Sequence, residues 1–166
     1  MKSLKIRGMA EEDWPAASAI YLQGMLGGNA TFAQEVPMWR EWSRSHITDL
    51  RYVAVDAKGV IQGWAAVAPV SQRSVYRGVL EVSIYVARHV QKVGIGSALL
   101  AHLIENAERK GVWTLCAGIF PENDASIRLH EKHDFVRVGL RQKLGRLNGT
   151  WRDVCLYERR SKVVGV

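Results

Sequence analysis

The chain is poor in cysteine and contains no long apolar run. Of its 166 residues only two are cysteines, Cys116 and Cys155, which lie far apart in strand-like runs. This excludes a disulfide framework and a cysteine-rich zinc site, and we expect both thiols to be reduced core residues. No stretch approaches the roughly 18 consecutive apolar residues of a membrane span, and the first residues lack the apolar segment of a signal peptide. We therefore expect a soluble, cytoplasmic protein with no membrane association.

Basic residues outnumber acidic ones. Lys and Arg total 23 against 16 Asp and Glu, a formal net charge of +7. Such an excess indicates an anionic partner, which the charge balance alone leaves open between nucleic acid, a phosphorylated cofactor and an acidic protein. The basic residues are scattered, and no recognised nucleic-acid-binding motif interleaves them with aromatic residues. A nucleic-acid-binding module is therefore the weaker alternative, and we expect no nucleic acid as partner.

Seven short runs are typical of strands, with clear alternation of apolar and polar residues in 4–9 and 79–86, and four other segments are typical of helices. The predicted strands span residues 4–9, 52–56, 60–67, 79–86, 112–119, 135–140 and 151–157. The predicted helices run from Trp14 to Met25, over 36–46, from Gly96 to a stop at Gly111, and over 127–132. No internal repeat or low-complexity linker interrupts them. The sequence thus predicts one domain over residues 1–166, of the α/β (α+β) class.

The fourth predicted strand has two chemically different faces. One face is apolar and consists of Leu80, Val82, Ile84 and Val86. The other presents a carboxylate, a hydroxyl and a phenol, from Glu81, Ser83 and Tyr85. Because alternate side chains of a strand point to opposite faces, this strand can pack on a core and still offer reactive groups on its other side.

The most informative segment is the glycine turn, residues 91–97, between this strand and the start of a predicted helix. Unpaired N–H groups at a helix N-terminus carry the positive end of the helix dipole, and glycines let phosphate oxygens approach them. The turn therefore predicts an anion site, with a plain tight turn at Gly94 and Gly96 as the alternative. No P-loop lysine follows Gly96, and Leu99 stands where a Rossmann fingerprint has its third glycine.

The glycine turn resembles the acetyl-CoA loop of the Gcn5-related N-acetyltransferases (GNAT), whose pattern is Arg/Gln-x-x-Gly-x-Gly/Ala after the fourth strand. Gln91, Gly94 and Gly96 match that pattern position for position. Residues 123–135 resemble the family's second cofactor segment, with Asp134 where a glycine is usual. The resemblance implies a mixed, mostly antiparallel central sheet of about seven strands flanked by about four helices. It also implies acetyl-CoA as co-substrate.

Within that superfamily the chain resembles the phosphinothricin and methionine sulfoximine acetyltransferases. The matching segments are Ala30-Thr31-Phe32, Tyr76-Arg77, Glu81-Val82-Ser83-Ile84-Tyr85-Val86, Ala117-Gly118-Ile119 and Gly149-Thr150-Trp151-Arg152-Asp153. Gly78 departs from this branch, which usually has histidine after the arginine. The resemblance implies acetylation of a small amino-acid-like substrate by direct attack in a ternary complex. Acetylation of a protein N-terminus or lysine is the alternative.

The same branch implies a homodimer that pairs through the C-terminal half of the chain. Trp151 and Tyr157 belong to the last predicted strand and are expected to add large apolar area to that interface.

The cofactor contacts follow from the resemblance. Backbone groups of Ile84, Tyr85 and Val86 are expected to pair with the pantetheine arm as an added strand does. The pyrophosphate is expected on the N–H groups of the turn, which belong to Lys92, Val93, Gly94, Ile95, Gly96 and Ser97. Asn123 and Lys132 complete the set, with an ordinary helix N-cap as the alternative for Asn123.

Glu81 and His130 are the candidates for proton transfer. Glu81 is expected to take the proton of the acceptor's ammonium group, with a solvated glutamate as the alternative. His130 stands where many relatives have a tyrosine that protonates the thiolate, and a histidine without a role is the alternative. His133 lies three residues further on, but no third ligand follows, so no metal site is expected. The cysteines are expected to take no nucleophilic part.

Four residues are candidates for binding the acceptor, namely Phe32, Tyr76, Arg77 and Ser83. The planar fork of Arg77 suits a carboxylate or phosphinate, while Phe32 is expected to wall the same pocket. A surface-loop arginine and ordinary packing are the respective alternatives.

Overall fold

The computed structural model describes residues 3–166, within which the chain forms seven strands and four α-helices. The strands are β1 (Lys5–Gly8), β2 (Arg51–Val55), β3 (Ile61–Pro69), β4 (Val79–Val86), β5 (Thr114–Ile119), β6 (Val136–Leu147) and β7 (Thr150–Arg160). The helices are α1 (Trp14–Leu26), α2 (Trp39–Ser45), α3 (Ile95–Arg109) and α4 (Asp124–Lys132). This element order confirms the predicted fold class. No helix among the described residues is long and apolar enough to cross a membrane.

All strands join one sheet in the order β1-β2-β3-β4-β5-β7-β6. Every neighbouring pair is antiparallel except β4 and β5, which run parallel because α3 connects them. The mostly antiparallel sheet expected from the resemblance is therefore confirmed, and its one parallel pair lies at the centre.

Helices cover both faces of the sheet. On one face, Leu99, Leu100 and Leu103 of α3 pack against Leu80 and other apolar side chains of the strands. On the opposite face, Trp14 and Trp42 of α1 and α2 pack on the first strands. The apolar side of β4 thus faces α3, as its alternation predicts, while its polar side faces the α1 layer.

α2 begins at Trp39 rather than at residue 36. Pro37 lies in the preceding loop, and Met38 has the extended backbone of an N-cap (φ −68°, ψ 153°). A proline disfavours helical geometry in the residue before it, so the helix starts after this position.

β6 continues to Leu147, well beyond the predicted end at residue 140. Its pairing with β7 is irregular between Arg141 and Gly145, where Lys143 has a φ of 47°. The Lys143 N–H donates to Asp153 Oδ1 at 2.8 Å, which holds the irregular segment. Such a bulge breaks the alternation of side chains, and the sequence pattern therefore ends before the strand does.

Tyr157 lies in the core and not at the dimer interface where it was expected. Its side chain is 3% exposed in the core beneath α4, where its hydroxyl donates to Glu131 Oε1 at 3.3 Å. The expectation that Tyr157 adds outer apolar area is therefore wrong, whereas Trp151 is 56% exposed.

Candidate active site

A cleft opens where β4 and β5 separate. The two strands pair only from Val79 with Thr114 to Glu81 with Cys116, although both continue further. Beyond Glu81, the edge of β4 that faces β5 has no strand partner among residues 3–166. The cavity that opens here measures about 800 Å³. Free backbone N–H and C=O groups along such an edge can bind an extended ligand as a further strand would.

The glycine turn forms one end of this cleft. Gly94 has a φ of 93° and is the N-cap of α3, and Lys92 has a φ of 66°. The first bond of the helix runs from Ala98 N–H to the Gly94 carbonyl, so the N–H groups of residues 95–97 have no partner within the helix. Such groups, at the positive end of the α3 dipole, can bind an anion. A Cβ on Gly96 would lie 3.3 Å from Leu129 Cδ2, which shows how closely α4 approaches α3.

Asn123, the N-cap of α4, connects that helix to the loop that follows α1. Its Oδ1 accepts from the Ser126 N–H at 3.2 Å, an N-cap bond, and its Nδ2 donates to the Asn29 carbonyl at 2.9 Å. Asn123 therefore does act as the N-cap of α4, the role given above as its alternative. One N–H of the Asn123 amide remains for a ligand, since an amide nitrogen carries two.

Glu81 lies at the point where β4 and β5 part, exposed to the cleft. Its strand neighbours are Ala68 on β3 and Cys116 on β5, whose small side chains leave room for a substrate beside the carboxylate. Burial raises the pKa of Cys116 to about 11, and the nearby Glu158 and Glu81 carboxylates add to the rise. Cys116 is therefore a neutral thiol at neutral pH, a poor nucleophile.

His130 lines the cleft from α4 and is 3% exposed. Its Nδ1 lies 2.7 Å from the Ser126 carbonyl oxygen, and its Nε2 has no hydrogen-bond partner among the described residues. Burial lowers the pKa of His130, and the adjacent His133 lowers it further. A neutral ring that donates from Nδ1 has no proton on Nε2. The role of His130 as proton donor stays a prediction, and it requires the doubly protonated ring, which burial disfavours.

Ser83, Tyr85 and Phe32 also line the cleft. Tyr85 stacks on Trp64 with ring centroids 4.9 Å apart, and a Cβ on Gly24 of α1 would approach its ring to 2.6 Å. Burial raises the pKa of the Tyr85 phenol, which therefore stays neutral. Phe32 packs edge-on against Phe120, with ring centroids 4.9 Å apart, and Phe120 also lines the cleft.

Most of the predicted site residues come together in this one cleft. Those that line it are Phe32, Glu81, Ser83, Ile84, Tyr85, Val86, Lys92, Gly94, Ile95, Gly96, Ser97, Asn123, His130 and Lys132. Val93, Tyr76 and Arg77 do not. Val93 is 60% exposed on the outside of the turn. Tyr76 and Arg77 precede β4, and the Arg77 guanidinium lies 5.7 Å from the centre of the Trp113 ring.

The structure shows why glycine, rather than the histidine usual in the similar acetyltransferase branch, follows Arg77. A Cβ at Gly78 would lie 2.1 Å from Cε3 of Trp113, and the backbone N–H groups of Trp113 and Thr114 both donate to the Gly78 carbonyl. The Trp113 ring therefore fills the space that a histidine side chain would need.

Arg152 is a residue of the site region to which sequence reasoning gave no role. Its guanidinium donates to the Gly28 carbonyl and to Asn29 Oδ1, both at 2.8 Å, and pairs with Glu122 at 3.1 Å. It also lies 4.2 Å from the centre of the Phe120 ring. Arg152 of β7 thus links the loop after α1 to the sheet by hydrogen bonds. Its place in the Gly-x-Trp-x-Asp segment was the only signal for it.

Within residues 3–166, no group of three or more His, Cys, Asp or Glu side chains is arranged to hold a metal ion. His133 instead contacts the glycine turn, with its Nε2 2.8 Å from Ser97 Oγ. Asp134 adopts a φ of 65°, the left-handed geometry for which glycine is usual at that position.

Comparison with known proteins extends the likeness beyond the glycine turn. Residues 9–135 match the model of the Acetyltransferase (GNAT) family. A phosphinothricin N-acetyltransferase of Streptomyces coelicolor is 34% identical, and the match covers 94% of this chain and 95% of that protein. An L-methionine sulfoximine/L-methionine sulfone acetyltransferase of Pseudomonas aeruginosa is 31% identical, with 94% of each chain covered.

A solved structure has the same fold. It is a phosphinothricin acetyltransferase of Sinorhizobium meliloti in complex with acetyl-CoA, with a TM-score of 0.87 and 26% identity, and the match covers 98% of this chain and 90% of that one. The similarity in sequence and in fold therefore extends over nearly the whole chain.

Proposed function

Because the chain belongs to the acetyltransferase (GNAT) family and is an acyltransferase, we propose that it transfers the acetyl group of acetyl-CoA to the amino group of a small amino-acid-like substrate. The observation that carries this proposal is the separation of β4 from β5, which leads from the anion site at Gly94 to the carboxylate of Glu81. A cofactor with phosphates at one end and a thioester at the other matches that sequence of groups.

Acetyl-CoA is proposed to lie along the free edge of β4. Backbone groups of residues 84–86 pair with the pantetheine amides, and the unpaired N–H groups at the start of α3 hold the pyrophosphate. The cations Lys92 and Lys132 line the same end of the cleft and suit the remaining phosphate charge. Val93 takes part through its backbone only, since its side chain faces outward.

The acceptor amine is proposed to attack the thioester directly. Glu81 lies exposed in the cleft and takes the proton that the ammonium group must lose before attack. The C–N bond then forms as the C–S bond breaks, and the second proton lost by the nitrogen balances the one that the departing thiolate takes up. The high pKa of Cys116, about 11, argues against an acyl-enzyme on the one cysteine beside Glu81. Both substrates are then bound together, and the reaction proceeds in a ternary complex.

Phe32 and Ser83 are proposed to contact the acceptor beside Glu81. Phe32, Phe120 and Val154 form an apolar wall there, and Ser83 offers a hydroxyl. Arg77 and Tyr76 line no part of this cavity. They remain candidates only for the acceptor's acidic group, at the start of the strand that carries Glu81.

The homodimer is proposed to pair through the β6–β7 half of the sheet. Val136, Val138, Leu140 and Trp151 are apolar side chains of these strands with large exposed fractions. A second copy of the chain would cover them. We also propose that the enzyme acts in the cytoplasm, which cell fractionation with an antibody to the chain would test.

A thiol-release assay tests the proposed function. The purified chain is incubated with acetyl-CoA and one acceptor at a time. The acceptors are methionine sulfoximine, methionine sulfone, phosphinothricin, the common L-amino acids and a peptide with a free N-terminus. We expect saturable release of coenzyme A with at least one small amino acid and none above background with the peptide. Release with the peptide alone would favour the protein acetyltransferase, and no release with any acceptor would refute the proposal.

A further inference from the structure

His133, which directly follows α4, contacts the glycine turn through its side chain. Its Nε2 lies 2.8 Å from Ser97 Oγ, although the two residues are 36 positions apart in the chain. Ser97 lines the cleft, whereas His133 does not. A hydrogen bond from His133 to a ligand in the cleft would therefore run through the Ser97 hydroxyl.

The Ser97 hydroxyl lies near the unpaired N–H groups of α3. Ser97 is the third residue of this helix, whose first hydrogen bond runs from the Ala98 N–H to the Gly94 carbonyl. Because the Cα–Cβ bonds of a helix tilt towards its N-terminus, the Ser97 side chain leans towards the end of α3 that can bind an anion. The hydroxyl is thus placed to donate to an anion that these N–H groups hold.

A serine hydroxyl has a single proton, which decides how this pair can be arranged around an anion. An ionised phosphate only accepts hydrogen bonds, so a hydroxyl that binds it donates its one proton to it. The Ser97 oxygen can then only accept from His133, and Nε2 of His133 must carry a proton. Without an anion the bond can run in either direction, because a neutral imidazole has one donor and one acceptor nitrogen.

The surroundings of His133 disfavour a charged ring in the free protein. Burial lowers the pKa of His133, and the cations of Lys132 and Arg159 lower it further. The Asp134 carboxylate raises this pKa, but it also pairs with Lys162 at 3.7 Å. The remaining titratable neighbour is a histidine of α4, His130, whose own pKa is lowered by burial. A phosphate bound at Ser97 would bring negative charge close to the ring and favour its protonated form.

We propose that His133 is a positioning residue of the cofactor site, which donates from Nε2 to Ser97 Oγ so that the Ser97 hydroxyl donates to the pyrophosphate of acetyl-CoA. His133 takes up a proton from solvent when the cofactor binds. This inference rests on the proposed function. Since the complex holds the proton more tightly than the free protein does, the cofactor binds best below the free-protein pKa of His133. The gain is lost as the pH rises through the higher pKa of the complex.

Calorimetry with dephospho-coenzyme A tests the inference. This ligand keeps the pyrophosphate but lacks the 3′-phosphate, a monoester whose own second pKa of about 6 would obscure the titration of a histidine. Measurements from about pH 5.5 to 8, in buffers with different enthalpies of ionisation, give the Kd and the number of protons taken up. For wild type we expect proton uptake within this range and a Kd about ten-fold lower at its acidic end than at its basic end.

Two variants and a control separate this relay from other causes. His133→Gln keeps a hydrogen-bond donor for Ser97 but does not titrate, and Ser97→Ala removes the hydroxyl between the ring and the phosphate. Both should lose the proton uptake, and their Kd should change by no more than about two-fold over the same range. His89→Gln is the matched control and should behave as wild type, since His89 is exposed shortly before the turn and does not line the cleft.

Proton uptake that persists in His133→Gln would assign the proton to another group, and full uptake in Ser97→Ala would mean that His133 acts through its charge alone. Either result would overturn the inference. Wild-type binding without proton uptake, or binding of acetyl-CoA but not of dephospho-coenzyme A, would overturn it as well. The variants interrupt the relay at different residues, so if one fails to fold the other still decides. A chain that binds neither ligand would instead refute the proposed function.

Discussion

Glu81 and Gly94 mark the two ends of the cleft, and each shows what one residue contributes. Glu81 is the carboxylate at the point where β4 and β5 part. Gly94 has a φ of 93° and is the N-cap of α3, so the N–H groups after it are available to bind an anion. A carboxylate on the polar face of a strand and a glycine before a helix were both visible in the sequence, because strand alternation and turn chemistry are local properties.

Removing the proton-accepting power of Glu81 tests its assignment as base. Glu81→Gln keeps the shape of the side chain, and we expect kcat to fall by about 100-fold at neutral pH, as is usual for loss of a general base. Glu158→Gln is the matched control, since Glu158 flanks Cys116 from the other side without lining the cleft. If steady-state kinetics gave Glu81→Gln full kcat/KM from pH 6 to 9, the amine would lose its proton to solvent.

Gly94 can be tested against a glycine with the same backbone geometry. Gly111, at the other end of α3, has a φ of 79°, and an added Cβ at either position would meet no atom within 4 Å. We expect Gly94→Ala and Gly111→Ala each to lower the free energy of unfolding by about 1 kcal/mol, measured by urea denaturation. Calorimetry should show acetyl-CoA bound on the order of ten-fold more weakly by Gly94→Ala alone. Equal affinities of the two variants would remove the glycine turn from the cofactor site.

At the scale of elements, the loop between α1 and α2 is part of the site because it is fastened to the sheet. Arg152 of β7 and Asn123 before α4 both bond to Asn29, and Phe32 packs on Phe120 further along the loop. The sequence did not predict these contacts, since the bonded residues are 94 and 123 positions apart. Only the folded sheet brings them together.

Arg152→Ala tests whether this fastening positions the acceptor side of the site. The variant loses the bonds to Gly28 and Asn29, and we expect the KM for the acceptor to rise several-fold, with the Kd for acetyl-CoA little changed. Arg146→Ala is the control, since Arg146 lies exposed in the same hairpin and its contacts, with the Gly149 carbonyl and the Trp151 ring, stay within that hairpin. An equal rise in both constants for Arg152→Ala would mean that the loop supports the whole cleft.

The ends of an element could be predicted from the sequence where a single hydrophobic periodicity runs through the whole element. β4 spans residues 79–86 as predicted, because its alternation is unbroken. β6 was predicted too short, since the bulge around Lys143 shifts the register, and it is held by Asp153 from another strand. Tertiary contacts of this kind leave no local pattern in the chain.

At the scale of the whole molecule, the proposed homodimer depends on the exposed apolar side chains of β6 and β7. Sedimentation at micromolar concentration should give a dimer for wild type and a monomer for Trp151→Glu, because a buried unpaired carboxylate opposes association. Val60→Glu, in the turn between β2 and β3, should remain a dimer. A wild-type monomer would exclude the proposed pairing.

The fold class was predictable because the order of strands and helices along the chain follows from hydrophobic periodicity, while the family resemblance implied the mostly antiparallel sheet. The contacts of individual side chains were less predictable. The roles of Tyr157, Arg77 and His130 each depend on what the side chain meets in three dimensions, namely Glu131, Trp113 and the Ser126 carbonyl. Residue type and position along a strand or helix give no information on these partners.

The most direct test of the central claim is to identify the product. Acetyl-CoA labelled with carbon-13 in the acetyl group is incubated with the chain and the best acceptor from the thiol-release assay, and the mixture is analysed by mass spectrometry and NMR. We expect one labelled acetyl group on the nitrogen of the acceptor for each thiol released, with no label on the protein. Thiol release without a labelled amide, or a labelled acetyl group on Cys116, would contradict direct transfer to an amine in this cleft.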